Sequence, residues 1–269
     1  MTEFKRDPKI YLETVKTILS DQKNLPSLPP MVGELQGNIK SFNFAQVEKV
    51  VQQDPTLTAT ILKVSNSALF KRSVAVASLK DAIATLGLGT VQSLVVAHQL
   101  KGLFQTRDNT LKEHLVRRWE NTQRLASFSK KMANLLNMDG DLAYLCAILS
   151  DLGSSLIAQE FPHFQRVDDQ PLFNWVADHY AHLISAHLLQ LWNFEELLWL
   201  PIKKKGQWGY RSPHGLDLAD VINMCWVHTL NSEETPELQD MPRFHDIPPT
   251  VRILASERQF FLLKEYQPA

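Results

Sequence analysis

The chain has 269 residues, enough for one large domain or two modest ones, and long enough to bury about three quarters of its unfolded surface. It is 44% hydrophobic and 21% charged with a formal net charge of −1, which argues against a dedicated nucleic-acid or polyanion binder. No apolar run approaches the roughly 20 residues of a membrane span, the charged start MTEFKRDPKIYLETVK is not a secretory signal, and the two cysteines, Cys146 and Cys225, read as buried free thiols of a reducing cytoplasm, with a disulfide between them left open.

Glycine is scarce, alternating β-branched runs are almost absent, and apolar residues recur with a period near 3.6. The expected fold class is therefore all-α. Tyr11, Val15, Ile18 and Leu19 make a first amphipathic helix within residues 1–23. The stretch Leu25-Pro26-Ser27-Leu28-Pro29-Pro30 is extended, because a residue before proline is pushed out of the α region, and Pro30 can open a helix to about Ile39. Asn43 can cap a helix bearing Val47, Val50 and Val51. Asp54-Pro55 supplies the next cap and first-turn pair, for a helix lined by Leu57, Ile61, Leu62 and Val64 that ends near Asn66-Ser67. Ser78 caps another, with Gly87 as its stop, and a further helix runs from Thr90 with Leu94, Val95, Ala97 and Leu100.

Residues Thr110 to Asn137 are long enough for one extended helix. Leu142 to Ile157, LAYLCAILSDLGSSLI, then reads as a helix apolar on nearly every side, and so central, yet it carries Ser150 and Asp151. A carboxylate there is costly unless it is paired, hydrogen-bonded or holding a metal. Further helices are expected over about Phe173–Trp192, Phe194–Lys204 with a break near Pro201, and Asp217–Leu230. Residues 231–249 read as a polar surface excursion and about Val251–Lys264 as a closing helix. No repeat, P-loop or G-x-S-x-G elbow is present.

Two groups of residues together resemble a known family. The first is Asp54-Pro55 with the apolar run to Val64, then Ser65-Asn66-Ser67-Ala68-Leu69-Phe70, Ser78-Leu79-Lys80-Asp81-Ala82-Ile83 and Leu86-Gly87, preceded by Leu25-Pro26 and Leu28-Pro29. The second is Trp119-Glu120-Asn121-Thr122, Leu145 to Gly153, and Leu218-Ala219-Asp220. These resemble the HDOD domain (HD-related output domain) of bacterial signalling proteins, over about residues 24 to 230. The resemblance implies an N-terminal helical bundle (24–108) packed on an HD-like helical bundle (109–230). HD-type phosphohydrolases hold divalent metal with a His, an adjacent His-Asp pair and a later Asp, and metal-bound water attacks a phosphate ester. Position by position, the first His falls on Asn121 and the His of the pair on Ser150, while the carboxylates persist as Asp151 and Asp220. Additional His positions fall near Ala181 and Lys203-Lys204.

The resemblance thus implies a non-catalytic output or scaffold protein without metal or cofactor. Its partners would be signalling proteins such as response regulators or cyclic-dinucleotide enzymes, or a small nucleotide ligand, in the cytoplasm; no membrane or nucleic-acid partner is expected. Asn121, Ser150, Asp151 and Asp220 are expected to form a hydrogen-bonded cluster in which neutral donors satisfy Asp151. The alternative is a divergent HD-type metal-dependent phosphohydrolase acting on a nucleotide or cyclic dinucleotide. Two further groups invite a ligand. Asp178, His179, His182 and His187 share one predicted helix, and Lys203, Lys204 and Lys205, followed by Trp208, Tyr210 and Arg211, combine cation with aromatic, although a three-lysine run beside a loop is usually a solvated edge.

Overall fold

Sequence-encoded caps set the N-terminal corner of the fold. Helix α1 spans Phe44–Gln53 and α2 spans Pro55–Ser65. Between them Asp54 accepts from the backbone N–H of Thr56 and Leu57, satisfying donors that have no partner inside the helix. Asn66 closes α2, and its side-chain amide pairs twice with the Val76 backbone, fixing the return of the chain. Ser78 caps α3 (Leu79–Leu86), and α4 (Leu88–Gly102) follows after a 111° bend at Gly87, whose φ of +83° suits a residue without Cβ.

The computed structural model describes residues 44–67, 70, 75–102, 106, 108–164, 170–227 and 244–246, and isolated positions 20, 28 and 32. Among these residues the fold is all-α, with no strand. The helices expected near the two ends of the chain, the cap at Asn43 and most of the 231–249 excursion lie outside the described residues. Within that excursion Phe244–Asp246 forms a 3₁₀ turn with Phe244 buried.

The later helices are α5 (Asn109–Leu135), α6 (Gly140–Leu149), α7 (Leu152–Phe164), α8 (Gln170–Leu191), α9 (Glu196–Lys203) and α10 (Leu218–Val227). Helix α4 is the shared element: one side packs on α1 and α3, the other on α6 and α7. This explains why Val91, Leu94, Val95, Val96, Ala97 and Leu100 are all buried although they point in several directions. Helix α6 is surrounded by α4, α5, α9 and α10, and every residue from Ala143 to Leu149 is buried. One continuous hydrophobic cluster runs from Leu57 and Ile61 through Leu94, Tyr144 and Leu149 to Phe173.

Three expectations are corrected here. The stretch 142–157 is two helices, because the chain breaks at Ser150-Asp151 and restarts with the Ser154 N–H donating to the Asp151 carbonyl. Residues 140–159 also have the length and mean hydropathy (1.4) of a membrane-crossing helix, contrary to the sequence reading; 83% of that window is buried inside the fold, so packing accounts for its apolar surface. Pro201 sits inside α9 without breaking it. Cys146 and Cys225 are free and buried, and burial pushes both thiols up, Cys225 to about 12.

Candidate functional site

The break between α6 and α7 is built by close packing. Gly153 faces α8, where an added Cβ would lie 2.8 Å from Ile184 Cβ and closer still to the Ala181 carbonyl oxygen. The Gly153 N–H donates to Ser185 Oγ at 2.8 Å, and that hydroxyl lies 2.8 Å from the Ala181 carbonyl and 3.2 Å from the Ser150 carbonyl. These bonds satisfy the polar backbone exposed by the break and clamp Ser150-Asp151 against α8.

Asp151 points towards α5. Arg118 Nε donates to its Oδ2 at 3.1 Å and Nη2 to its Oδ1 at 2.5 Å, a two-pronged pairing, while Ser154 Oγ adds a bond at 2.9 Å. Arg118 Nη1 reaches Asp178 Oδ1 at 2.6 Å. Burial alone would pull the guanidinium down, but the two carboxylates more than offset it and hold its pKa above the usual value. The expected cluster is therefore corrected. Asp151 is satisfied by a cation from its own chain and by the Ser154 hydroxyl, not by Asn121 or Ser150. Ser150 donates to the Ala147 carbonyl, the Asn121 side chain makes no hydrogen bond among the described residues, and Asp220 accepts from the Asp217 N–H in the first turn of α10.

Lys205 is the second cation. Helix α9 ends at Lys203, and the turn is completed by Gly206 at φ +79°, packed so closely on Trp226 that a Cβ would lie 2.8 Å from the ring. Asn223 pins the turn by accepting from the Gly206 N–H at 2.7 Å and donating to the Lys204 carbonyl at 3.0 Å. The Lys205 ammonium is thereby carried inwards, 7% exposed, 3.2 Å from Ser150 Oγ and 4.5 Å from the Trp226 ring centroid. Burial lowers its pKa to about 8 against the pull of Asp151. His182, also buried, is held near 3 by burial and by Lys205, so it is neutral at neutral pH.

Arg118, Asn121, Asp151, Asp178, Lys205 and Trp226 line a cavity that, together with the solvent it opens to, spans about 410 Å³. Across Asp151 lies a second space of about 330 Å³, bordered by Lys101, Leu115, Trp119, Ser154 and Ser155. Lys101 lies 4.4 Å over Trp119, and burial lowers its pKa while Asp151 raises it.

The residues at the HD metal positions do not fit a metal. A guanidinium occupies both oxygens of Asp151, an ammonium stands at Ser150, and no group of three His, Cys, Asp or Glu among the described residues could hold an ion. The histidines of α8 do not converge: His179 stacks on Trp175 at 4.3 Å and bonds its carbonyl, His182 is buried towards Trp226, and His187 is half-buried. The cation-aromatic group also divides. Lys203 lies over Trp199 and Lys204 over Tyr210, Trp208 stacks on Trp226, and Arg211 is exposed. The solvated-edge reading fails for Lys205 alone. Sequence reasoning missed Arg118, and it took Lys205 together with Lys203 and Lys204 as one solvated run. For Arg118 a signal existed, since it lies three residues before Asn121 and so on the same helix face.

Comparison with known proteins places this geometry. The HDOD domain family model matches residues 25–207. An uncharacterized protein of Treponema pallidum (strain Nichols) is 23% identical in an alignment of 226 residues that covers 78% of this chain and 42% of that protein's length. Among crystal structures, a protein of Shewanella amazonensis SB2B provisionally named a metal-dependent phosphohydrolase superposes with a TM-score of 0.67 at 19% identity, covering 94% of this chain and 96% of its own. One of Marinobacter aquaeolei VT8, provisionally named for signal transduction, gives 0.62 at 19% identity over 96% of this chain and 64% of its own. An HDOD domain protein of unknown function from Geobacter sulfurreducens gives 0.57 at 16% identity, covering 96% and 94%. At these identities the structures speak for the fold.

Proposed function

Given that the chain belongs to the HDOD family, we propose that it is a non-catalytic output module of bacterial signal transduction, working in the cytoplasm by binding rather than by hydrolysis. The observation that carries this reading is the Arg118–Asp151 pair. A metal-dependent phosphohydrolase of this fold needs its carboxylate free for a cation, and here both oxygens are engaged by a side chain fixed in turn by Asp178. The position next to Asp151 holds a serine that accepts from Lys205, so imidazole is replaced by a hydroxyl facing an ammonium. No step through a metal is derived.

In this reading the module responds by docking on other signalling proteins, response regulators or cyclic-dinucleotide enzymes among them. The test is elemental analysis of the purified protein, joined to a screen against phosphomonoesters, phosphodiesters and cyclic dinucleotides with added Mn²⁺. The expected result is less than a tenth of a metal per chain and no turnover above buffer. Stoichiometric metal with turnover abolished in Asp151→Ala would install the phosphohydrolase alternative instead.

A further inference from the structure

Lys205 is a buried cation that forms no ion pair with a carboxylate among the described residues. An ammonium has three N–H donors, and among the described residues Lys205 has one hydrogen-bond acceptor, Ser150 Oγ, besides the face of Trp226. Asp151 is near enough to act on it through space, but its oxygens are already taken by Arg118 and Ser154. A buried charge left in this condition is costly unless a counter-charge joins it.

The chain also shows how it treats a lysine that serves only the fold. Lys130 Nζ has three acceptors, the Leu86 carbonyl, Thr90 Oγ1 and Asp141 Oδ1, at 3.2, 2.5 and 2.6 Å. Lys205 has no such set, and it borders a cavity rather than packed protein. On the same cavity wall three of the five N–H donors of Arg118 are engaged, leaving two, and the Asn121 amide sits at the mouth with its donors unspent. The cavity therefore gathers donors from α5 and from the α9–α10 turn around one solvent-connected space.

We propose that this cavity binds the phosphate group of a small ligand, with Lys205 Nζ, Arg118 and Asn121 as its donors and no metal ion between protein and phosphate. The proposal rests on the reading that the site works without a metal. Arg118 and Lys205 together balance Asp151 and Asp178, so the lining carries no net charge and the phosphate is held by the unspent N–H donors, those of Lys205 foremost. The phosphate is either free or carried by a nucleotide, and the two sources separate by affinity.

The experiment is isothermal titration of the full chain in EDTA, with inorganic phosphate in one arm and adenosine 5′-monophosphate in the other. Saturable 1:1 binding of at least one probe is expected, weakened at least tenfold by Lys205→Met and unchanged by Lys204→Met. Tighter binding of the nucleotide assigns the phosphate to a larger ligand, and equal or weaker binding assigns it to the free ion. Asn121→Leu, at an exposed position, gives a second variant whose fold is not at stake and is expected to weaken binding severalfold. Absence of binding by wild type, or binding indifferent to both Lys205→Met and Asn121→Leu, overturns the proposal while leaving the non-catalytic reading intact. Binding that appears only with a divalent metal and vanishes in EDTA overturns both.

Discussion

Helix α6 carries a carboxylate–cation group at each end, and the two are built differently. At its N-terminal end Lys130 spans from α5 to Asp141, Thr90 and the Leu86 carbonyl, with every ammonium donor directed at a fixed acceptor. Gly89 allows this approach, since a Cβ there would overlap the Asp141 carboxyl group. At the C-terminal end Asp151 is equally saturated by Arg118 and Ser154, but Lys205 is left over with a cavity beside it. The first group is a strut tying α4 to α5 and α6. The second combines a strut, Arg118–Asp151, with a reserve of unspent donors. Saturation of donors distinguishes what holds the fold from what is available to a ligand.

Mutations sharpen that contrast in order of size. Asp151→Ala leaves Arg118 buried with Asp178 alone and is expected to cost about 3–4 kcal/mol in urea unfolding, the range for breaking a buried pair from one side. A cost below about 1 kcal/mol would mean that the pairing is not maintained in solution. Gly153→Ala forces α7 off α8 at Ala181 and Ile184, at about 2–3 kcal/mol by the same measurement, because the obstruction is partly backbone.

At the other end of α6, Lys130→Met strands two oxygen acceptors and Asp141, and should cost about 2 kcal/mol. Lys205→Met removes a buried ammonium, leaves Ser150 bonded to the Ala147 carbonyl, and should lie within about 0.5 kcal/mol of wild type or be stabilising. If the two lysine variants lose stability equally, the distinction between strut and reserve is wrong. A pH series makes the same point. The Lys205 pKa is about 8 in the folded chain against an ordinary 10.5, so between these values the unfolded chain binds more protons and folded stability rises with pH. The rise attributable to this residue should be absent from Lys205→Met, and identical slopes in the two proteins would count against a buried Lys205.

Much of the fold was legible because its signals are local. Asp54, Ser78 and Gly87 cap or stop the helices as their chemistry requires, and the all-round apolar character of residues 142–149 does mark the centre. The break at Ser150-Asp151 was hidden because apolar periodicity continues through it, and what forces it is the contact of Gly153 with α8, across 28 or more residues of chain. The site was half legible. The need of Asp151 for a partner followed from its apolar surroundings, but the identity of that partner did not, since Arg118 is 33 residues away in sequence. Lys205 was read with its neighbours as an exposed run. Its inward turn depends on Gly206 against Trp226 and on Asn223, contacts that no single helix pattern encodes.

The central claim, that Arg118 takes the place of a metal at Asp151, is tested most directly by a double-mutant cycle of Arg118→Met and Asp151→Asn followed by urea unfolding. The account predicts a coupling energy of about 2–3 kcal/mol, unchanged by EDTA or by added Mn²⁺. A coupling near zero, or a stabilisation of wild type by Mn²⁺ that Asp151→Asn abolishes, would contradict it.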